Sequence, residues 1–473
     1  MDKENEVIDG IFENLDKKSE ELSPCARALQ LYNAGNYAEA VKLWEECAQN
    51  DEAEALYRLA SCYMQKLAGA ELADGERIKK GFGFALKAAE LGFADAQNYV
   101  AVLYLNGVGV ERNCKAAVEW AKKAADGGLV SAMNTLGYIY ENGDDIEDGA
   151  DSQEKSAFNW YMKAAQSGSA AGQLNVGRCF AEGFGIARDK QEAVEWYIRA
   201  AEQGQAEAQF RLGECYDDGE GVDKNPVEAF YWYKEAAKHG HAKAECYVGY
   251  CYQYAEGVSY DMSEAIKWYQ RSAQKNYAQA FCNLGCCFEE GEGVKRDMET
   301  AKKMYEAGAK LGHAMSQYNL GNVYYFGKGV KKNVEEAFKY YYAAAKSGMK
   351  EAQYNLAQQL YKGEGVEQSD EEAAYWFLQA AENGDADSQY KIATFYQNGI
   401  GVEEDEEEGF KWFLRAAKQG DSDSQYAVGM CYEEGYGVDV DLNEAREWYM
   451  RAAEQGNREA KKFLKRVNKL LGK

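Results

Sequence analysis

Residues 205–240 read QAEAQFRLGECYDDGEGVDKNPVEAFYWYKEAAKHG, and this stretch decides the fold. Its small or apolar residues Ala208, Leu212, Cys215 and Tyr216 fall at i, i+4, i+7 and i+8, one stripe of an α-helix. Gly219-Glu220-Gly221-Val222 then breaks the helix, because glycine tolerates the positive φ that a sharp turn requires. Beyond the turn, Ala229, Trp232, Tyr233, Ala236 and Ala237 form a second stripe, which Gly240 closes. The paired alanines let helices approach closely, while Trp232 and Tyr233 fill the space between hairpins. One hairpin cannot bury both stripes, so the stretch predicts a stack of hairpins.

The rest of the chain repeats it. Trp160, Trp196, Trp232 and Trp268 stand 36 residues apart, Met304 and Tyr340 hold the next two places, and Trp376, Trp412 and Trp448 resume. Glycine pairs keep the same step, from Gly183/Gly185 and Gly219/Gly221 to Gly399/Gly401 and Gly435/Gly437. Eleven units follow, starting at 52, 93, 129, 169, 205, 241, 277, 313, 349, 385 and 421 and covering 52–456. The first and third are longer than 36 residues, with insertions in 67–81 and around 144–151. Residues 24–51 read as one further hairpin, in which Gly35–Ala40 resembles a tetratricopeptide repeat. Residues 457–473 carry seven Lys/Arg, one Glu and a stripe of Ala460, Phe463, Val467 and Leu470, the expected form of a basic C-terminal capping helix. A docking handle for an acidic partner is the other reading of that segment. Residues 1–23 form an acidic N-terminal segment with weak patterning.

Composition narrows the function classes. The 473 residues include 54 Lys+Arg and 79 Asp+Glu, a net charge of −25, which argues against duplex nucleic acid and anionic membrane as main partners. At 46% hydrophobic the chain can build a large core, and with only 2 prolines it is no Pro-rich linker. No apolar run reaches the roughly 18 residues of a membrane span, and Met1–Glu6 lacks the basic start of a secretory signal. The expectation is a cytoplasmic protein without membrane insertion.

The unit Ala-x-Ala-Gln-x-x-Leu-Gly-x-x-Tyr-x-x-Gly-x-Gly-Val, followed by Glu-Ala-x-x-Trp-Tyr-x-x-Ala-Ala-x-x-Gly, resembles the Sel-1-like repeat family, a branch of the tetratricopeptide-type solenoids. The resemblance implies an all-α, right-handed superhelical α/α solenoid that acts as an interaction scaffold or adaptor rather than an enzyme. Unit 3 lacks the second glycine of the turn pair and unit 6 has Ala255 before Gly257, so both turns are expected to distort.

Reactive groups were weighed against this frame. Of twelve cysteines, Cys62, Cys179, Cys215, Cys251, Cys287 and Cys431 share the buried eleventh position of a unit, where a small hydrophobe is wanted. Stacked hairpins keep such positions about 9–10 Å apart, too far for a disulfide. Cys282 and Cys286 share a helical face, but no Cys-x-x-Cys or nearby His completes a metal site. His239, His241 and His313 fall at turns between units and read as exposed, inert residues. Ser-x-x-Lys occurs at Ser152–Lys155, Ser272–Lys275 and Ser347–Lys350 without Ser-Asp-Asn or Lys-Thr-Gly. A hydrolase of the β-lactam-binding type, reported among cysteine-rich relatives, is therefore the alternative function. The Gly-x-Gly turns follow helices and lack a third glycine, so they are no dinucleotide fingerprint. Asp144–Asp151 fails the calcium-loop pattern, and Glu403–Glu408 reads as a solvated turn. No cofactor, metal, disulfide or catalytic residue is expected.

What is expected is a protein or peptide partner. Positions 4, 8 and 11 of each first helix face the core, so positions 6, 10 and 13 lie about opposite at 100° per residue. If first helices line a concave face, its floor is Tyr250, Tyr318, Asn322, Tyr325, Tyr354, Gln358, Tyr361, Tyr390, Tyr426 and Met430. Tyrosine supplies apolar area with a hydrogen-bonding tip, as protein interfaces favour. Tyr at position 6 is equally suited to bracing a neighbouring hairpin, and both roles stand at this stage.

Overall fold

The computed structural model describes residues 23–68, 71–144, 146 and 152–472. Residues 1–22 of the acidic segment and most of the loop 144–151 lie outside the described residues. Among the described residues every regular element is a helix, from Pro24–Asn33 to Arg458–Leu470, and successive helices pair into hairpins. The protein is an all-α repeat solenoid. Its described residues fall into two compact blocks, one ending at His241 and the other starting at Ala242.

Local chemistry sets the helix ends. In a 36-residue unit the first helix runs over positions 2–14, as in Ala206–Asp218, and the second over positions 22–34, as in Pro226–Lys238. Position 21 is a side-chain cap. Asp189, Asn225, Asp261, Asp297, Asn333, Ser369, Asp405 and Asp441 each accept a hydrogen bond from an N–H two or three residues on. The first helix ends on a left-handed glycine at position 15, such as Gly219 at φ 75°. In unit 3, Gly143 is extended there (φ −87°, ψ 150°), so that turn does change shape. In unit 6, Ala255 keeps the left-handed conformation at φ 59°, contrary to the expected distortion. A side chain in that region costs about 1–2 kcal/mol, partly offset by glycine's greater freedom in the unfolded chain. Ala255→Gly is therefore expected to stabilise the protein by about 0.5–1 kcal/mol. A urea midpoint that stays put or falls would contradict this.

Hairpins close through a tyrosine laid on a glycine. Tyr197, Tyr233, Tyr269, Tyr305, Tyr341 and Tyr449 of the second helices lie against Gly177, Gly213, Gly249, Gly285, Gly321 and Gly429 of the first. A Cβ at Gly321 would stand 2.7 Å from a Tyr341 ring carbon. Units 9 and 10 have Ala357 and Ala393 at the glycine position, and their second-helix aromatics are Phe377 and Phe413.

Neighbouring hairpins are joined by buried amides. Gln209, Gln389 and Gln425 donate to the carbonyls of Ala201, Ala381 and Ala417, each in the preceding unit, at 3.0, 3.0 and 3.2 Å. Gln419 and Gln455, at the end of the same units, donate back to Gln389 and Gln425 at 2.8 and 2.9 Å. Both ends of each buried amide are thus satisfied. Unit 6 has Glu245 at the amide's position, fully buried and paired within its own unit with Arg271 and Lys275 at 3.0 Å each.

The helix Arg458–Leu470 packs on the hairpin before it. Ala460 and Val467 are buried, and the Phe463 ring lies 5.4 Å from Tyr426 and 5.7 Å from Tyr449. Arg466 pairs with Glu433 at 2.7 Å and Glu434 at 3.1 Å.

Candidate interaction surface

The first-helix face carries its candidate residues in two kinds of setting. At position 6 the tyrosines brace their own hairpins: Tyr318 lies 5.9 Å from Tyr341, Tyr354 5.8 Å from Phe377, Tyr390 5.4 Å from Phe413 and Tyr426 5.8 Å from Tyr449. Tyr426 and Met430 also pack beneath the C-terminal helix. Tyr250 is 41% exposed, with its ring 4.5 Å from Tyr254.

Position 13 behaves differently along the chain. In units 3, 6, 7 and 11 it receives the second-helix tyrosine: Glu141 accepts the Tyr161 hydroxyl at 2.6 Å, Gln253 that of Tyr269 at 2.7 Å, and Glu289 and Glu433 those of Tyr305 and Tyr449 at 2.8 Å. Unit 8 moves this duty to Asn322, which accepts from Tyr341 at 2.7 Å. Unit 9 has Phe377 and no hydroxyl to receive. Position 13 is thereby released to Tyr325 and Tyr361. Tyr361 packs 5.1 Å from Phe395 of the next unit. Tyr325 donates to Glu364 at 2.7 Å, and that carboxylate, together with burial, raises the phenol's pKa.

Tyr325, Tyr354 and Gln358 come together. With Phe326, Tyr341, Asn355 and Lys362 they line a cleft of about 250 Å³ between the first helices of units 8 and 9. Gln358 donates to the Tyr354 hydroxyl at 3.0 Å, and Phe326 is 64% exposed at the rim. The corresponding slot in units 4 and 5 is about 270 Å³ but charged, lined by Arg178, Glu182, Arg211 and Glu214. One backbone slot thus carries two chemistries. The aromatic one suits an apolar side chain whose flanking backbone meets the amides and Lys362.

A second surface escaped sequence reasoning. Tyr342, Tyr375 and Trp376 border an open groove of about 690 Å³ between the second helices of units 8 and 9. Tyr375 is 55% exposed. The available signal was an aromatic just before the repeat tryptophan, as also at Tyr231-Trp232.

The remaining motifs are occupied by structure. Among the position-11 cysteines only Cys215 is less than buried. A hydrogen bond from Cys282, with help from Tyr305, pulls the Cys286 thiol down to about 7. The histidines are not idle turn residues as expected. His239 contacts Gln209 at 2.9 Å, while His241 stacks on Phe210 and meets Glu207 at 2.9 Å, holding that carboxyl down to about 2. Ser152 accepts the Lys155 N–H at 3.2 Å, buried Ser272 donates to the Ala242 carbonyl at 2.7 Å, and Ser347 donates to that of Ala343 at 3.4 Å. In the acidic turn, Asp405 caps the next helix and Lys411 pairs with Glu407 and Glu408 at 2.9 and 2.8 Å.

His313 has a pH consequence. Its Nδ1 accepts the Ser316 N–H at 3.3 Å and its Nε2 faces Gln279 at 3.1 Å, so the ring serves as a neutral cap. Burial lowers its pKa below the usual histidine value. The unfolded chain therefore takes up the proton first, near pH 6.5, and stability is lost as pH falls below that value. His313→Asn keeps a capping acceptor that does not titrate. Between about pH 7 and pH 5 the wild type is expected to lose more stability than the variant. Parallel losses in thermal melts at the two pH values would contradict the assignment.

Stacked hairpins with constant interlocks and variable slots define an α/α repeat solenoid of the kind that presents surfaces. The Sel1 repeat model matches eleven consecutive stretches, from 53–93 and 94–129 through 422–457, and the chain belongs to this family, whose repeats typically mediate protein–protein interaction. Among solved structures, the chain is similar to the protective antigen c5321 of uropathogenic Escherichia coli, which displays an SLR fold. The two share 30% identity over 91% of this chain and 90% of that one, with a TM-score of 0.56. A Sel1 repeat protein from Oxalobacter formigenes is 32% identical over 53% of this chain and 100% of its own, with a TM-score of 0.49. No curated protein matches the chain. Among the described residues no helix is long and apolar enough to cross a membrane.

Proposed function

We propose that this protein is a non-enzymatic scaffold that holds a protein segment, extended or helical, against the first helices of its C-terminal block. The observation that carries this reading is the cleft at Tyr325, Phe326, Tyr354 and Gln358, where aromatic walls and amide groups converge. It arises where position 13 carries Tyr325 and Tyr361 in place of the acceptors found at Glu141, Gln253, Glu289 and Glu433. The packing of most cysteines as core hydrophobes supports a reducing, cytoplasmic setting. Ser152, Ser272 and Ser347 are committed to backbone hydrogen bonds, and Ser388 of a fourth match, Ser388–Lys391, is fully buried, which weighs against the hydrolase alternative.

Site-specific photo-cross-linking in the native cell tests the proposal. A photoreactive residue at Phe326 is expected to capture one dominant protein, and capture is expected to fail when Gln358→Ala and Tyr354→Ala are added. A probe at Val227, which is 62% exposed on a second helix, serves as control. Equal capture from both positions would defeat the assignment.

A further inference from the structure

We propose that Cys25, Cys47 and Glu52 form a binding site for one thiophilic divalent cation of the zinc class, clipping the N-terminal hairpin to the first repeat. Cys25 lies in the first turn of the helix Pro24–Asn33, Cys47 near the end of the helix Tyr37–Ala48, and Glu52 just before the helix Ala53–Met64. Three helices therefore converge on one point through residues 22 and 5 positions apart. Their sulfur and carboxylate ligand atoms all lie within 4.8 Å of one another, and Cys25 donates to Glu52 at 2.7 Å. Among the described residues no other group of three potential ligands comes so close.

The donor set decides the class of ion. Two thiols and one carboxylate suit zinc and its borderline-soft neighbours, and they exclude calcium or magnesium, which take oxygen cages. Two sulfurs held about 2.3 Å from a tetrahedral centre stand about 3.8 Å apart, so small side-chain movements close this triangle on an ion. Cys47 is buried, Cys25 half-buried and Glu52 exposed, which leaves the fourth position on the solvent side for water. Thiols ligate as thiolates, so binding must release their protons. A bound ion would tie both helices of the hairpin Pro24–Ala48 to the helix Ala53–Met64.

The test uses the full chain, reduced with a phosphine and freed of metal, titrated with Co²⁺ and then Zn²⁺. One equivalent of Co²⁺ is expected to bind with a thiolate-to-cobalt charge-transfer band, to release protons, and to be displaced by Zn²⁺. Cys25→Ser and Glu52→Gln are expected to weaken binding by at least about tenfold, with unchanged far-ultraviolet circular dichroism. Cys286→Ala, which alters the other cysteine pair, is expected to leave the titration as it was. Absence of a stoichiometric, zinc-displaceable band would overturn the proposal. So would a band that survives intact in Cys25→Ser or disappears in Cys286→Ala.

Discussion

Gly401→Ala is expected to destabilise the protein by about 2–5 kcal/mol, through two independent costs. Gly401 closes the turn of unit 10 at φ 63°, where an L side chain is strained. An added Cβ would also overlap the carbonyl of Asp370, at the first turn of the preceding unit's second helix. Gly185, Gly221, Gly365 and Gly437 meet the preceding unit's second helix in the same way, so the second turn glycine is a point at which one repeat rests on the last. Gly384→Ala is the matched control: its φ is 86°, but nothing lies within 4 Å of the added carbon, so only the backbone cost of about 1–2 kcal/mol applies. Thermal or urea unfolding of the two variants should separate them clearly. Equal losses would mean that the turn glycines serve conformation alone and do not set the stacking distance.

Removing residues 457–473 is expected to cost about 4 kcal/mol or more and to promote aggregation, since a buried large apolar side chain contributes about 1.5–3 kcal/mol. The deletion strips Val467 and Phe463 from Tyr426, Met430 and Tyr449. It also leaves Glu433 without Arg466, keeping only the Tyr449 hydroxyl on a carboxylate that is 6% exposed. Light scattering and a thermal midpoint on the truncated chain would check both effects. A truncated protein as soluble and as stable as the full chain would make this helix a free handle for an acidic partner, the other reading its basic residues allow.

The architecture was legible in residues 205–240 because both helices, the turn and the closing glycine recur within one period. Helix stripes are local, and local signals survive in a single sequence. The interlocks were not legible in the same way. The Tyr341–Gly321 contact and the Gln389–Ala381 hydrogen bond join residues 20 and 8 apart, distances that acquire meaning only once the hairpins are folded and stacked. For that reason His239 looked like an idle turn residue, although it takes the place in the amide ladder that Gln203 holds one unit earlier. The helical-wheel argument placed positions 6, 10 and 13 on one outward face. Asn322 and the position-6 tyrosines are instead partly claimed by the second-helix aromatic, which reaches beneath that face. The useful signal was that Tyr325 and Tyr361 stand where units 3, 6, 7 and 11 keep the acceptors Glu141, Gln253, Glu289 and Glu433.

That distinction makes the binding surface testable apart from stability. Asn322→Ala leaves the Tyr341 hydroxyl without its acceptor and Tyr361→Ala opens a gap beside Phe395, so this pair is expected to lower the thermal midpoint. Phe326 is exposed and Gln358 bonds within its own helix to Tyr354, so Phe326→Ala with Gln358→Ala should leave the midpoint in place. The decisive measurement is the affinity of the Phe326→Ala/Gln358→Ala protein for the partner captured at Phe326, taken beside its melting curve. A scaffold that binds through this cleft predicts a loss of more than about tenfold, the truncation cost of an interface anchor, with unfolding unchanged. Full affinity in this variant would place the binding surface elsewhere on the solenoid.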